Sequence, residues 1–135
     1  MNYKIDEVEG IGPAFAARLT EAGVKNTDDL LSKAGGAAGR RDLAAKTGIG
    51  ESQILKWCNH ADLMRVNGVG KQFAELLEAA GVDTVKELGN RNAANLAAKM
   101  KEVNESKKLA RTSPAESAVA GWIEAAKKLD PKISY

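Results

Sequence analysis

The sequence predicts an all-α fold made of two copies of one helical unit, packed with pseudo-two-fold symmetry. Three observations carry this expectation. No stretch alternates apolar and polar residues with the period of two that a half-buried strand needs, and Ala and Leu abound. Start and stop signals bracket the apolar-periodic stretches. One segment of the first half recurs in the second at a constant offset of 58 residues.

The repeat is read by placing Val8-Glu-Gly-Ile-Gly-Pro-Ala-Phe-Ala-Ala-Arg-Leu19-Thr-Glu-Ala-Gly-Val24 over Val66-Asn-Gly-Val-Gly-Lys-Gln-Phe-Ala-Glu-Leu-Leu77-Glu-Ala-Ala-Gly-Val82. Gly10 meets Gly68, Gly12 meets Gly70, Phe15 meets Phe73 and Leu19 meets Leu77. Leu30 matches Leu88 at the same offset. Beyond that the spacing shifts: Leu43-Ala-Ala-Lys46 answers Leu96-Ala-Ala-Lys99, and Trp57 with Ala61 answers Trp122 with Ala126. The gaps are a Gly-rich loop ending at Gly39 in the first half and a Lys-rich insertion in the second. The units are therefore 1–60 and 61–135, with no linker between them.

The elements follow in order. Pro13 suits the first position of a helix over 13–22, which stops at Gly23. A second helix is expected over 27–34. The Gly35–Gly39 stretch separates it from a third over 40–47. Gly48-Ile-Gly50 is a helix connection within the unit. A fourth helix, 51–66, runs straight into the second copy of the repeat. Lys71 opens a helix over 71–80 that stops at Gly81. Thr84-Val-Lys-Glu87 is a capping box for 84–90. The next helix spans 92–110, and Ser113-Pro-Ala-Glu116 is a capping box for the last, 115–129. Val8, Ile11, Phe15, Leu19, Leu30, Val66, Val69, Phe73, Leu77 and Leu88 are the expected core.

Composition narrows the function classes. The 135 residues are 44% hydrophobic and 28% charged, which fits a soluble globular protein. No apolar run reaches the roughly 18–20 residues of a membrane span. The N-terminal segment lacks the apolar stretch of a signal peptide, so a cytoplasmic protein is expected. One cysteine, Cys58, excludes an internal disulfide, and one histidine, His60, removes most metal and triad chemistry. Net charge is +2, but Lys86 to Arg111 holds 7 basic and 3 acidic residues, a mild basic patch.

Each unit opens with apolar-x-Gly-apolar-Gly-x-x-x-Ala-x-x-Leu. Two glycines turn the chain tightly, and the apolar residue between them (Ile11 or Val69) plugs the core beneath. A new helix then starts at Pro13 or Lys71. Ala16 and Ala74 let two helices cross closely. Backbone N–H groups of the turn and of the first helical turn lack intrahelical partners and lie at the positive end of the helix dipole. That arrangement suits a phosphate.

This pattern resembles the helix-hairpin-helix motif. The paired copies resemble the tandem helix-hairpin-helix domain, which in repair ligases, nucleases and recombinases binds duplex DNA without sequence preference. Gly23-Val-Lys-Asn-Thr-Asp-Asp-Leu-Leu31, Leu43-Ala-Ala-Lys-Thr-Gly-Ile49, Ile54-Leu-Lys-Trp57 and Ala61-Asp-Leu-Met-Arg-Val66 follow one another in an order similar to a bacterial family of unknown function. That resemblance covers about residues 4–129 and implies a fold but no activity. A looser similarity links the chain to the C-terminal domain of the RNA polymerase alpha subunit and to recombinase N-terminal domains.

The two turns differ as phosphate sites. Asp6, Glu7 and Glu9 flank the first, and Pro13 removes one N–H donor. Arg65, Asn67, Lys71 and Gln72 flank the second. The expected DNA contacts are therefore Arg65, Asn67, Gly68, Val69, Gly70, Lys71 and Gln72, with Gly10, Ile11 and Gly12 as a weaker counterpart. Lys86, Arg91, Lys99 and Lys101 extend the surface if their helices share that face. Gly68-Val-Gly-Lys71 is not a P-loop, because Gln72 follows and no strand precedes. Trp57 and Trp122, at matching positions, read as core. Aromatic residues at 4% argue against single-strand binding by stacking. No catalytic pair, activated nucleophile or cofactor fingerprint is present. The expectation is a non-enzymatic binding protein for double-stranded DNA, needing no cofactor. The alternative is a protein–protein interaction module on the same scaffold.

Overall fold

The computed structural model describes residues 2–135; Met1, part of the first unit, lies outside them. Those residues are all-helical. A 3-10 turn, Ile5–Glu7, leads into α1 (Pro13–Glu21), α2 (Thr27–Ala34), α3 (Ala37–Thr47) and α4 (Glu51–Leu63). Then follow α5 (Lys71–Ala79), α6 (Val85–Gly89), α7 (Ala93–Lys107) and α8 (Glu116–Lys127). Among the described residues, strand-like pairing amounts to one bridge between Lys4 and Asn26. Among the described residues, no helix is long and apolar enough to cross a membrane.

Four expectations are corrected. Helix α3 starts at Ala37, so only Gly35 and Gly36 break the chain and Gly39 is helical. Gly39 is needed for packing: a Cβ there would overlap the carbonyl of Lys33 on α2. Helix α4 stops at Leu63 instead of running to Val66. The Arg65 N–H donates to the Asp62 carbonyl at 3.2 Å and the Val66 N–H to that of Leu63 at 3.1 Å. Glu7 and Val8, 58 residues earlier, make the same bonds to Lys4 and Ile5 at 3.0 and 3.3 Å. The entry to the turn is therefore a tight corner in both halves, which a straight helix would not allow.

The other two corrections concern the end of the chain. Helix α7 ends at Lys107, and α8 starts at Glu116 with Ala115 as its N-cap and no side-chain cap. Ser113 does not cap. The Asn104 amide holds this loop instead: Nδ2 donates to Ser113 Oγ at 3.4 Å, and Oδ1 accepts from the Ala110 N–H at 2.9 Å. Thr84 does cap α6, accepting from the Glu87 N–H at 3.4 Å. Glu87 answers one residue early, accepting from the Asp83 N–H at 3.1 Å.

The core forms where α2 and α3 pack on α4, and where α6 and α7 pack on α8. Helix α5 joins the halves through α4 and also packs on α7. Val8, Ile11, Leu19, Leu30, Val66, Val69, Leu77 and Leu88 are buried as expected. Phe15 and Phe73 are only half-buried. They sit at the core's edge against the two buried tryptophans: Phe15 and Trp57 lie 5.2 Å apart between ring centroids, Phe73 and Trp122 5.1 Å. Each such pair adds about 0.5–1.5 kcal/mol beyond its buried area.

The polar residues inside tie distant segments together. Arg40 is buried and donates to the carbonyls of Ala34 (3.1 Å), Gly35 (2.8 Å) and Ser134 (2.6 Å). It thus fastens the C-terminal segment to the first unit. His60, 1% exposed, places Nε2 3.0 Å from Glu78 Oε2 across the α4–α5 junction.

Candidate nucleic-acid interface

The two turns share their backbone geometry. Gly10 and Gly68 have φ of 90° and 96°, a region that favours glycine. Gly12 and Gly70 do not share it: their φ values are −84° and −89°, and they are the N-caps of α1 and α5. Only the first glycine of each pair is demanded by the turn. The turn also uses some of its own donors, because Ile11 donates to the Val8 carbonyl at 3.1 Å and Val69 to that of Val66 at 3.0 Å. Both residues are buried, so neither is a contact for a ligand. The donors that remain at the second turn belong to Gly70 and the first turn of α5, where no side-chain cap is present. At the first turn Pro13 occupies N1 and lacks one of them.

The expected contacts divide. Asn67, Gly68, Lys71 and Gln72 are exposed and Gly70 is half-buried, all at the start of α5. Gly10 and Gly12 are exposed at the start of α1. Arg65 is placed otherwise. Its side chain is 13% exposed, and Nη1 lies 2.7 Å from the buried Asp62 carboxylate and 2.8 Å from the Asp130 carbonyl. Asp62 in turn accepts from the Val85 N–H at 2.9 Å. Arg65 therefore neutralises a buried acid and holds the C-terminal segment.

The basic extension also moves. Arg91 donates to the Gly81 carbonyl at 3.0 Å, at the far end of α5 from Lys71. Lys86 lines a separate cleft with Asp62, Thr84 and Tyr135. Lys99 faces Glu102 at 4.0 Å on its own helix, and Lys101 is exposed on α7. Lys108 and Arg111 come beside α5 instead, forming with Gln72 and Glu105 the walls of a groove of about 610 Å³. Sequence reasoning missed both. Their signal was the Lys-rich insertion by which the second half exceeds the first.

The second turn also lies beside the 3-10 turn of the first unit. Asp6 and Glu7 from the first unit, and Gly70 and Lys71 from the second, line one cleft of about 400 Å³ with Tyr3 and Met64. Carboxylates continue along α5. Glu75 titrates above the usual carboxylate range, through partial burial and then the charge of Glu9. Asp83 does the same through partial burial and the charges of Glu87 and Glu78. The start of α5 is thus a cationic spot between an acidic neighbour and a basic groove. Among the described residues, no group of three or more His, Cys, Asp and Glu side chains could hold a metal ion.

No curated protein and no solved structure matches the chain. Residues 9–129 match the domain of unknown function DUF4332, and the chain belongs to that family.

Proposed function

We propose that this protein is a non-catalytic cytoplasmic binding module that contacts the phosphate backbone of duplex DNA, without sequence preference, through the turn at Gly68–Gly70 and the start of α5. The proposal includes the architecture: units 1–60 and 61–135 are helix-hairpin-helix repeats related by a pseudo-two-fold axis. Matching dihedral angles at Gly10 and Gly68, matching corner hydrogen bonds, and the two Phe–Trp pairs support that part.

The observation that carries the binding proposal is Gly70. Its φ and ψ, −89° and −169°, suit any residue, and a Cβ would meet nothing within 4 Å. Neither backbone strain nor crowding demands glycine here; its one structural use is as the N-cap of α5. A bare backbone at a helix N-terminus gives an incoming oxyanion close access to the N–H groups, with the Lys71 ammonium beside them. Gly12 is equally open, but Pro13 lacks the N–H donor and stands where the second turn has Lys71, which makes it the weaker site.

Fluorescence anisotropy on two unrelated duplexes tests this. Wild type binds both alike, and affinity falls with salt by a slope of about −0.9 per phosphate contact. Lys71→Glu weakens both equally. Absence of binding at low salt, or no effect of Lys71→Glu, refutes the proposal. A protein partner is the second reading, favoured by the net charge of only +2 and by Asp6 and Glu7 beside Lys71. A pull-down would then replace the duplex.

A further inference from the structure

The two halves differ most in the link that follows their third helix. In the first half, α3 is 11 residues long and residues 48–50 connect it to α4. In the second, α7 is 15 residues long and residues 108–115 connect it to α8. The four extra helical residues add about 6 Å at 1.5 Å each. Helix α7 runs antiparallel to α5: Arg91, just before α7, bonds Gly81 at the end of α5, and Lys108, just after α7, shares a groove with Gln72 at its start. Counted from the matched Leu43 and Leu96, α3 runs on four residues to Thr47 and α7 eleven to Lys107, and that longer C-terminal reach brings Lys108 to the groove that Gln72 lines.

Lys108 itself marks the position. It is the C-cap of α7, with φ 53° and ψ 47°, and among the described residues it is the one non-glycine with positive φ. The equivalent C-cap of α3 is Gly48, at φ 75°. The second half therefore places a lysine where backbone geometry favours the glycine used in the first. Folding gains nothing from that choice. The choice does add an exposed lysine to the groove that the exposed Arg111 and Gln72 also line. Lys107 is exposed beside them, and Glu105 is the one acid on the groove wall.

We infer that the groove between α5 and the α7–α8 link is a second phosphate-binding subsite, in which Lys108 and Arg111 grip the backbone of the same duplex that the Gly70 turn engages. The inference rests on the DNA-binding proposal above. It makes the interface asymmetric: one turn, widened by an insertion that the other half lacks.

The test compares salt titrations of wild type, Lys71→Glu, Lys108→Gly and the double variant Lys108→Gly/Arg111→Gln on one short duplex, with thermal melts of each. Lys108→Gly removes the charge and relieves the backbone, so its Tm does not fall while its affinity does. In the double variant the magnitude of the salt slope falls by about 1.8, two contacts' worth. If wild type binds and Lys71→Glu weakens it, but the double variant keeps the wild-type slope and affinity, the subsite is refuted and the turn stands alone. If wild type does not bind, both proposals fall. If Lys108→Gly loses binding together with a lower Tm, Lys108 is structural and the inference is overturned.

Discussion

Gly68 lies so close to the indole nitrogen of Trp122 that a Cβ on the glycine would sit 3.1 Å from it; Gly10 stands 3.3 Å from that of Trp57 in the same way. Each turn is thus seated on the tryptophan that also carries its phenylalanine. Positive φ and a crowded Cβ act together at Gly68, and neither acts at Gly70. Gly68→Ala should therefore cost about 1–3 kcal/mol. Gly70→Ala should cost less, about 1 kcal/mol at most through loss of a favoured N-cap residue, yet weaken duplex binding. Urea denaturation of the two variants separates them. Equal losses of stability would contradict the distinct roles given to the two glycines.

Phe73 is half-buried and shares its face with Trp122. Full burial would make Phe73→Ala cost about 3–5 kcal/mol. Partial exposure lowers that, and the lost ring pair adds back part of it, so about 2 kcal/mol is expected. Phe15→Ala should cost about the same, because its ring lies 5.2 Å from Trp57 in the same relation. A loss confined to one of the two would break the equivalence of the halves.

The helices were legible because their signals are local. Pro13, Thr84 and the glycines at 23 and 81 act within one turn of the residues they cap, and a single sequence displays them. Long-range partners decided what was missed. Gly39 looks like a loop glycine until α2 is laid against it. Arg40 looks like a solvated cation until the Ser134 carbonyl arrives from the other end of the chain. Arg65 carries the right charge at the right spacing for a phosphate, yet Asp62 and Asp130 hold it. Lys108 and Arg111 gain their meaning only from the antiparallel course of α5 and α7. The candidate site was half legible: the turn was readable, the groove beside it was not.

Cys58 gives a pH dependence of definite sign. Burial pushes its thiol from 9.0 up to about 12, with the Arg40 charge opposing the rise. Above pH 9 the unfolded chain loses this proton and the folded one keeps it. The unfolded state then binds fewer protons, so stability falls as pH rises from about 9 toward 12, by at most about 1.4 kcal/mol per pH unit from this group. Denaturation midpoints of wild type and Cys58→Ala across this range isolate the effect, since the other alkaline titrations are common to both. The variant is less stable at neutral pH and loses stability less steeply above pH 9. The folded thiol should also react with disulfide reagents only as fast as the protein opens. Parallel alkaline limbs would show that the thiol ionises equally in both states.

Asp6 provides the reciprocal test of the interface. It is exposed, while its neighbour Glu7 is committed, accepting from the Lys4 N–H at 2.9 Å. Asp6 can therefore be reversed in charge at little structural cost, about 0.5 kcal/mol or less. It shares a cleft with Gly70 and Lys71. A phosphate held at the start of α5 feels the carboxylate as repulsion, so Asp6→Lys should tighten binding to every duplex alike. The salt slope should steepen by up to about 0.9 if the new ammonium reaches a phosphate of its own. The protein-partner reading gives the opposite sign, because a basic partner docked on Asp6 and Glu7 would be lost on reversal. Anisotropy at low and near-physiological salt decides between them: tighter binding by Asp6→Lys together with weaker binding by Lys71→Glu places a duplex across this cleft, and unchanged affinity in Asp6→Lys takes the cleft out of the interface.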